Sequence, residues 1–289
     1  MAGRTAEIER AYAGETLALI GALALMVAVV GGLFAGLGGA AVAVVCALIL
    51  ARGVVGLSTA GVMRANGARP IGPSSAPRLT RLAAHLARNA QLAAPPTLYL
   101  VPSRAPNAFA FGDRNDSGVA LSQGLVQALD ERELTGVLAH EISHVRAGDT
   151  HVLRIAGALV ATIRAVAQIG LLLCIVALFL GERVPLVVAL TFAVAPTLAF
   201  ALQLWVSRRR EFAADAGAVA LTGDAVGLAS ALCRLDRWRA RLRYLGYALG
   251  APPTWLSTHP RTEERLRRLH ALQPEAFLPA APRRVLWSW

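Results

Sequence analysis

The chain has 289 residues, 55% of them hydrophobic and only 16% charged, and a net charge of +11 in which every basic residue is arginine. A soluble domain carries about 25% charged residues; this composition excludes a disordered chain, and three cysteines exclude a disulfide scaffold. The apolar excess points to membrane spans, and the positive charge leaves open a polyanionic partner or a membrane surface.

The first apolar segment comes early, with no charged residue from Thr16 to Ala51. A spanning helix needs about 20 apolar residues, so this run predicts two spans, at 16–34 and 37–57. Gly31, Gly32, Gly36, Gly38 and Gly39 supply a turn between them. The run is too long for a signal peptide, and Glu7, Glu9 and Glu15 spoil the basic leader, so no cleavage is expected. Residues 58–73 read as a connector. Leu79, Leu82 and Leu86 mark an amphipathic helix over 77–92, with Pro77 in its first turn. Segments 95–102, 107–112 and 119–121 read as short strands. Asp130 and Glu133 form a capping-box start for a helix that ends near Gly148. A second apolar region predicts spans at 157–180 and 185–205, turning at Gly181–Pro185 and kinked at Pro196. Residues 211–236 read as helical, and Pro260 opens a last helix striped by Leu266, Leu269 and Leu272.

Two hairpins put both termini and both polar segments on one side of the membrane. Near the span ends Arg4, Arg10, Arg52, Arg64, Arg154, Arg208, Arg209 and Arg210 lie on that side, against Arg183 on the other. That side is therefore predicted to be cytoplasmic, and the charge reports topology rather than nucleic acid. Arg208, Arg209 and Arg210 read as a juxtamembrane cluster for orientation and anionic-lipid contact.

The helix before Gly148 contains His140-Glu141-Ile142-Ser143-His144, an HExxH motif expected by chance only about 0.005 times in this composition. Positions i and i+4 share a helix face, so two imidazoles can hold one zinc ion with Glu141 beside its water. Catalytic zinc takes three protein ligands and keeps a fourth position open. Downstream, Glu211 and Asp215 are again spaced i, i+4. Glu211 can complete a His2Glu set, and Asp215 can accept the spare N–H of a ligand histidine. Asp149 is placed to buttress the HExxH helix. His151 reads as interfacial, and Cys46, Cys174 and Cys233 form no CxxC pair. Glu211 lies four residues, about 6 Å of helix, beyond the last charge-free run, which predicts a site near the membrane face and substrates embedded in or next to the membrane.

Four stretches carry a resemblance: NAFAFG at 107–112, LAHEISHVRAGD at 138–149, SRRREFAADAG at 207–217 and STHPRTEERLRRL at 257–269. In order, and in the hairpin between the second and third, the chain resembles the HtpX-type membrane metalloproteases, in the gluzincin family that includes the CAAX prenyl proteases. The resemblance implies a mainly α membrane protein with four transmembrane helices in two hairpins and a discontinuous α+β zincin-like protease domain. The corresponding units are 1–57 (N-terminal segment and first hairpin), 58–150 (first half of the protease domain), 151–206 (second hairpin) and 207–289 (second half). It implies one Zn2+ per chain on His140, His144 and Glu211, with Glu141 as catalytic acid/base. It also implies a strand that pairs with substrate backbone through Asn107, Ala108 and Phe109, and His259 as a stabiliser of the tetrahedral oxyanion. Phe111 departs from the small or polar residue that such proteins often carry there. The implied function is zinc-dependent endoproteolysis of misfolded or surplus membrane proteins. It would act in a bacterial-type inner membrane, with the bilayer and protein substrates as partners and no nucleic acid. A narrow-specificity processing protease and a non-catalytic scaffold are the alternatives; Glu141 argues against the scaffold, because a structural zinc needs no base.

Overall fold

The computed structural model describes residues 2–244 and 260–277, with side chains for 14–241 and 260–277. His259 lies outside the described residues. Within a bilayer every backbone N–H and C=O must be satisfied inside the segment, and a helix does this. The apolar runs accordingly fold as α1 (Ala2–Val55), α6 (Asp149–Phe179) and α7 (Leu186–Thr222). Among the described residues these three helices are long and apolar enough to cross a membrane. The sequence predicted four separate helices; the first two are one helical element with a break at Ala35 and Gly36. Gly36 has φ 58°, a left-handed value that a side chain disfavours. Past the break Gly31 faces Gly39 and Ala43, and a Cβ added to Gly31 would lie 2.6 Å from that of Ala43. In a straight helix those residues would be about 18 Å apart, so the chain turns back on itself at Gly36. Leu23, Val27 and Ala47 of α1 pack with Ile163 of α6 and Ala199 of α7, while Leu25, Leu37, Phe179 and Leu190 face outward.

The segment read as a connector is more ordered than its Gly, Pro and Ser content suggested. Ser58 caps α2 (Thr59–Ala65), and Arg69–Pro70 forms β1. Burial of Met63 against Tyr99 and Ala120 supplies what local propensity lacks. With β2 (Thr97–Val101), β3 (Ala108–Gly112) and β4 (Ser117–Ser122), β1 makes a sheet of order β1-β2-β4-β3. The β2–β4 pair is parallel and the other two pairs are antiparallel. Leu98, Val119 and Leu121 pack against α3 (Pro77–Asn89) and α5 (Glu131–Ala147), chiefly through Leu86, Leu138 and Ile142. α4 (Gln123–Ala128) links sheet to α5. The predicted capping box is present: Asp130 accepts the Glu133 N–H at 2.9 Å, and Glu133 accepts the Asp130 N–H at 3.0 Å.

The helix expected over 211–236 is interrupted. α7 ends at Gly223, φ 69°, and α8 (Ala225–Tyr244) starts afresh with Asp224 accepting the Gly227 N–H at 3.0 Å. α9 (Thr262–Leu272) follows. Ala218, Leu228 and Leu269 from this second half join the core that the first half builds around α5. A single residue, Gly148 at φ 71°, ends α5 and precedes α6.

Candidate metal centre and active site

His140 and His144 lie one turn apart on α5, with ring centroids 4.7 Å apart. α7 runs on from the apolar bundle and brings Glu211 against them. The two Nε2 atoms are 3.2 Å apart; Glu211 Oε2 is 3.6 Å from His140 Nε2, and Oε1 is 3.5 Å from His144 Nε2. Three donors at about 2.0–2.1 Å from a tetrahedral zinc would be about 3.3 Å apart, so this donor set fits that ion in spacing and type.

The Nδ1 atoms point away from this cluster. His144 Nδ1 is 2.6 Å from Asp149 Oδ2, and His140 Nδ1 is 3.0 Å from Asp215 Oδ1. Asp149 takes the His144 N–H, and Asp215 is the ion-pair partner of His140 Nδ1; in a neutral imidazole so placed, the other ring nitrogen would face the centre as a lone pair. Arginines hold the carboxylates in turn. Arg265 of α9 donates to both Asp215 oxygens at 2.8 and 2.6 Å. Arg210 of α7 donates to Asp149. Burial alone would lower both imidazoles, but Asp215 and Glu211 outweigh it at His140, and Asp149 and Glu211 push His144 up to about 10. With both imidazoles neutral, as metal binding requires, four carboxylates (Glu141, Asp149, Glu211, Asp215) against two guanidiniums (Arg210, Arg265) leave a formal charge of −2. One divalent cation balances it.

Glu141 lines a cleft together with His140, Asn107, Ala108 and Thr262. β3 is the last strand of the sheet on that side. The Phe109 side chain turns to the other face, against the Met63 and Tyr99 cluster; only its backbone is available along the edge. Phe111 carries the Arg154 guanidinium 4.2 Å from its ring centroid. The cleft therefore takes in His140, Glu141, Asn107 and Ala108, and His140 joins it to His144, Glu211 and Asp215 behind.

Sequence reasoning missed Arg265 and misread Arg210, which is buried on Asp149 rather than turned to lipid. Arg209 pairs with Glu15 at 2.7 Å. The available signal was charge: two histidines among buried acids need cationic partners, and the nearest arginines sit inside the same motifs.

Residues 73–273 match the profile of Peptidase family M48. A protein called Protease HtpX homolog from Methylibium petroleiphilum is 32% identical over 284 residues, covering 90% of this chain and 98% of that one. One of the same name from Acaryochloris marina is 35% identical over 281 residues, covering 90% and 94%. The crystal structure of S. mikatae Ste24p aligns at 19% identity and a TM-score of 0.46, over 80% of this chain and 57% of that chain.

Proposed function

The chain belongs to peptidase family M48, and from that premise we propose a zinc-dependent endopeptidase that cleaves misfolded or surplus membrane proteins at the cytoplasmic face of a bacterial-type inner membrane. Membership makes it a metalloprotease. The observation that carries the rest is the donor set: two imidazoles, each backed by a carboxylate within 3.0 Å, meet Glu211 on a helix continuous with an apolar span. We read the arms of α1 on either side of Gly36 as separate crossings, giving four in all. Each arm is about 30 Å long, which matches a hydrocarbon core.

His140, His144 and Glu211 would hold the metal, one ion per chain. When bound, zinc supplies Lewis acidity to the scissile carbonyl and to a water molecule. The Glu141 carboxylate takes the proton of the attacking water and later delivers it to the leaving amide nitrogen. Asn107, Ala108 and Phe109 offer backbone groups along β3 for an extended substrate. His259 is assigned to the tetrahedral oxyanion, where a preorganised donor acts most strongly. Asp149 and Asp215 fix the ring orientations.

The test is Glu141→Gln in purified, lipid-reconstituted protein, assayed on a membrane-embedded substrate and on a soluble unfolded one. Zinc is expected to stay bound while cleavage falls by at least about 100-fold. Chelation should abolish wild-type cleavage and zinc should restore it. Undiminished cleavage by the variant sinks the mechanism. Equal wild-type cleavage of both substrates, with and without lipid, sinks the membrane-substrate assignment.

A further inference from the structure

Two arms of charged side chains hold the histidines, and they differ in where they end. The His140 arm runs through Asp215 to Arg265 and is built from α5, α7 and α9. The His144 arm runs through Asp149 to Arg210 and then leaves the protease domain. Arg210 Nη1 donates to the Thr16 hydroxyl, 194 residues away and inside the apolar Gly14–Val55 stretch of α1. Its Nη2 donates to the Ala147 carbonyl at 3.2 Å, the last residue of α5. Arg210, Asp149 and Thr16 are all buried, at 6%, 2% and 6% exposure. The guanidinium is thus fixed on three elements: the end of the ligand helix, the start of α6, and α1. Asp149 receives one side of it and the His144 Nδ1–H, at 2.6 Å, on the other.

A planar guanidinium is set in angle as well as position by its partners. Two of those partners lie beside Gly148 and fix the edge of the fork that meets Asp149. The third, Thr16, fixes its far corner. Without that hydroxyl, a buried charged donor would turn toward another acceptor and carry the Asp149 carboxylate with it. The Asp149 oxygen sets the His144 ring, and the ring sets Nε2.

We propose that Thr16 and Arg210 are positioning residues for His144, so that the metal-donor set is completed by the docked first membrane helix. The proposal rests on the reading of His140, His144 and Glu211 as metal donors.

The test uses the full chain in lipid nanodiscs, with Thr16→Val, Thr16→Ser and His144→Ala. The readouts are the zinc dissociation constant, by competition with a chromophoric chelator, and the visible absorption of the Co2+-loaded protein. Partners one step behind a ligand change metal affinity by about 10- to 100-fold; for Thr16, one step further back, about 10-fold weaker zinc binding is expected for Thr16→Val. An altered Co2+ spectrum is expected with it, and Thr16→Ser should restore both. Wild-type affinity and spectrum in Thr16→Val overturn the proposal. So does Thr16→Ser behaving like Thr16→Val, since the methyl group would then be what matters. His144→Ala with wild-type zinc affinity would instead sink the donor assignment itself. If Thr16→Val does not fold, Arg210→Lys replaces it: the charge stays and the fork is lost, so the same weakening is expected and wild-type affinity overturns the proposal.

Discussion

Asp215 works on both sides at once. It accepts two hydrogen bonds from Arg265 and lies 3.0 Å from His140 Nδ1 as its ion-pair partner. Asp215→Asn removes the charge and puts an N–H where an acceptor is needed, against either the guanidinium or the imidazole. Zinc affinity should fall by about 10- to 100-fold, measured by chelator competition, with the backbone helicity unchanged. A variant that binds zinc like wild type would mean that His140 is oriented by packing alone. His140, His144, Glu211 and Asp215 were legible in the sequence because each pair obeys the i, i+4 rule of one helix. Arg265 was not. Its partner lies 50 residues away on another helix, and an arginine in a TEERLRR stretch looks like a solvated face.

Among the elements, the turn from α5 to α6 rests on one residue. Gly148 adopts φ 71° between the HExxH helix and the apolar helix α6. Gly148→Ala should cost about 1–2 kcal/mol for the left-handed backbone and lower the thermal midpoint in detergent. An unchanged midpoint would show that the turn relaxes. The α7–α8 break offers a milder test. Arg132 grips Asp224, which also caps α8. The hydrogen bonds from Arg132 hold the Asp224 carboxyl below its usual 3.8. Because the folded value is depressed, the contribution is complete above about pH 4 and is lost as pH falls through the lowered value. The pair is solvent-exposed, so Asp224→Asn should cost only about 0.5 kcal/mol, with no difference from wild type once the carboxyl is protonated. The break at Gly223-Asp224 was readable as a glycine stop followed by an acidic cap, but the apolar periodicity continuing past it hid the signal. α2 and β1 were not readable. Their order comes from Met63 and Tyr99 meeting across the sheet, a contact that no local pattern announces.

Over the whole molecule, bundle and protease are interleaved along the chain, and each apolar helix that reaches the site ends in chemistry. The charge-free runs made the helical bundle legible; the way α7 passes without interruption from Leu186 to Thr222 was not, since the hydrophobic signal stops where Arg208 begins. That continuity has a mechanical consequence. Glu211 rides on α7, and the histidines ride on α5, hinged to α6 by one residue. Helices meet a thinner or thicker bilayer by tilting. A tilt of α7 against α6 moves a carboxylate relative to two imidazoles that it must meet within 3.5–3.6 Å. Activity measured in vesicles of increasing acyl-chain length should therefore peak at one length and fall on both sides, and a flat profile would contradict this. On that outcome hydrocarbon thickness would be an input to catalysis, and the protein would serve as a gauge of the membrane around it.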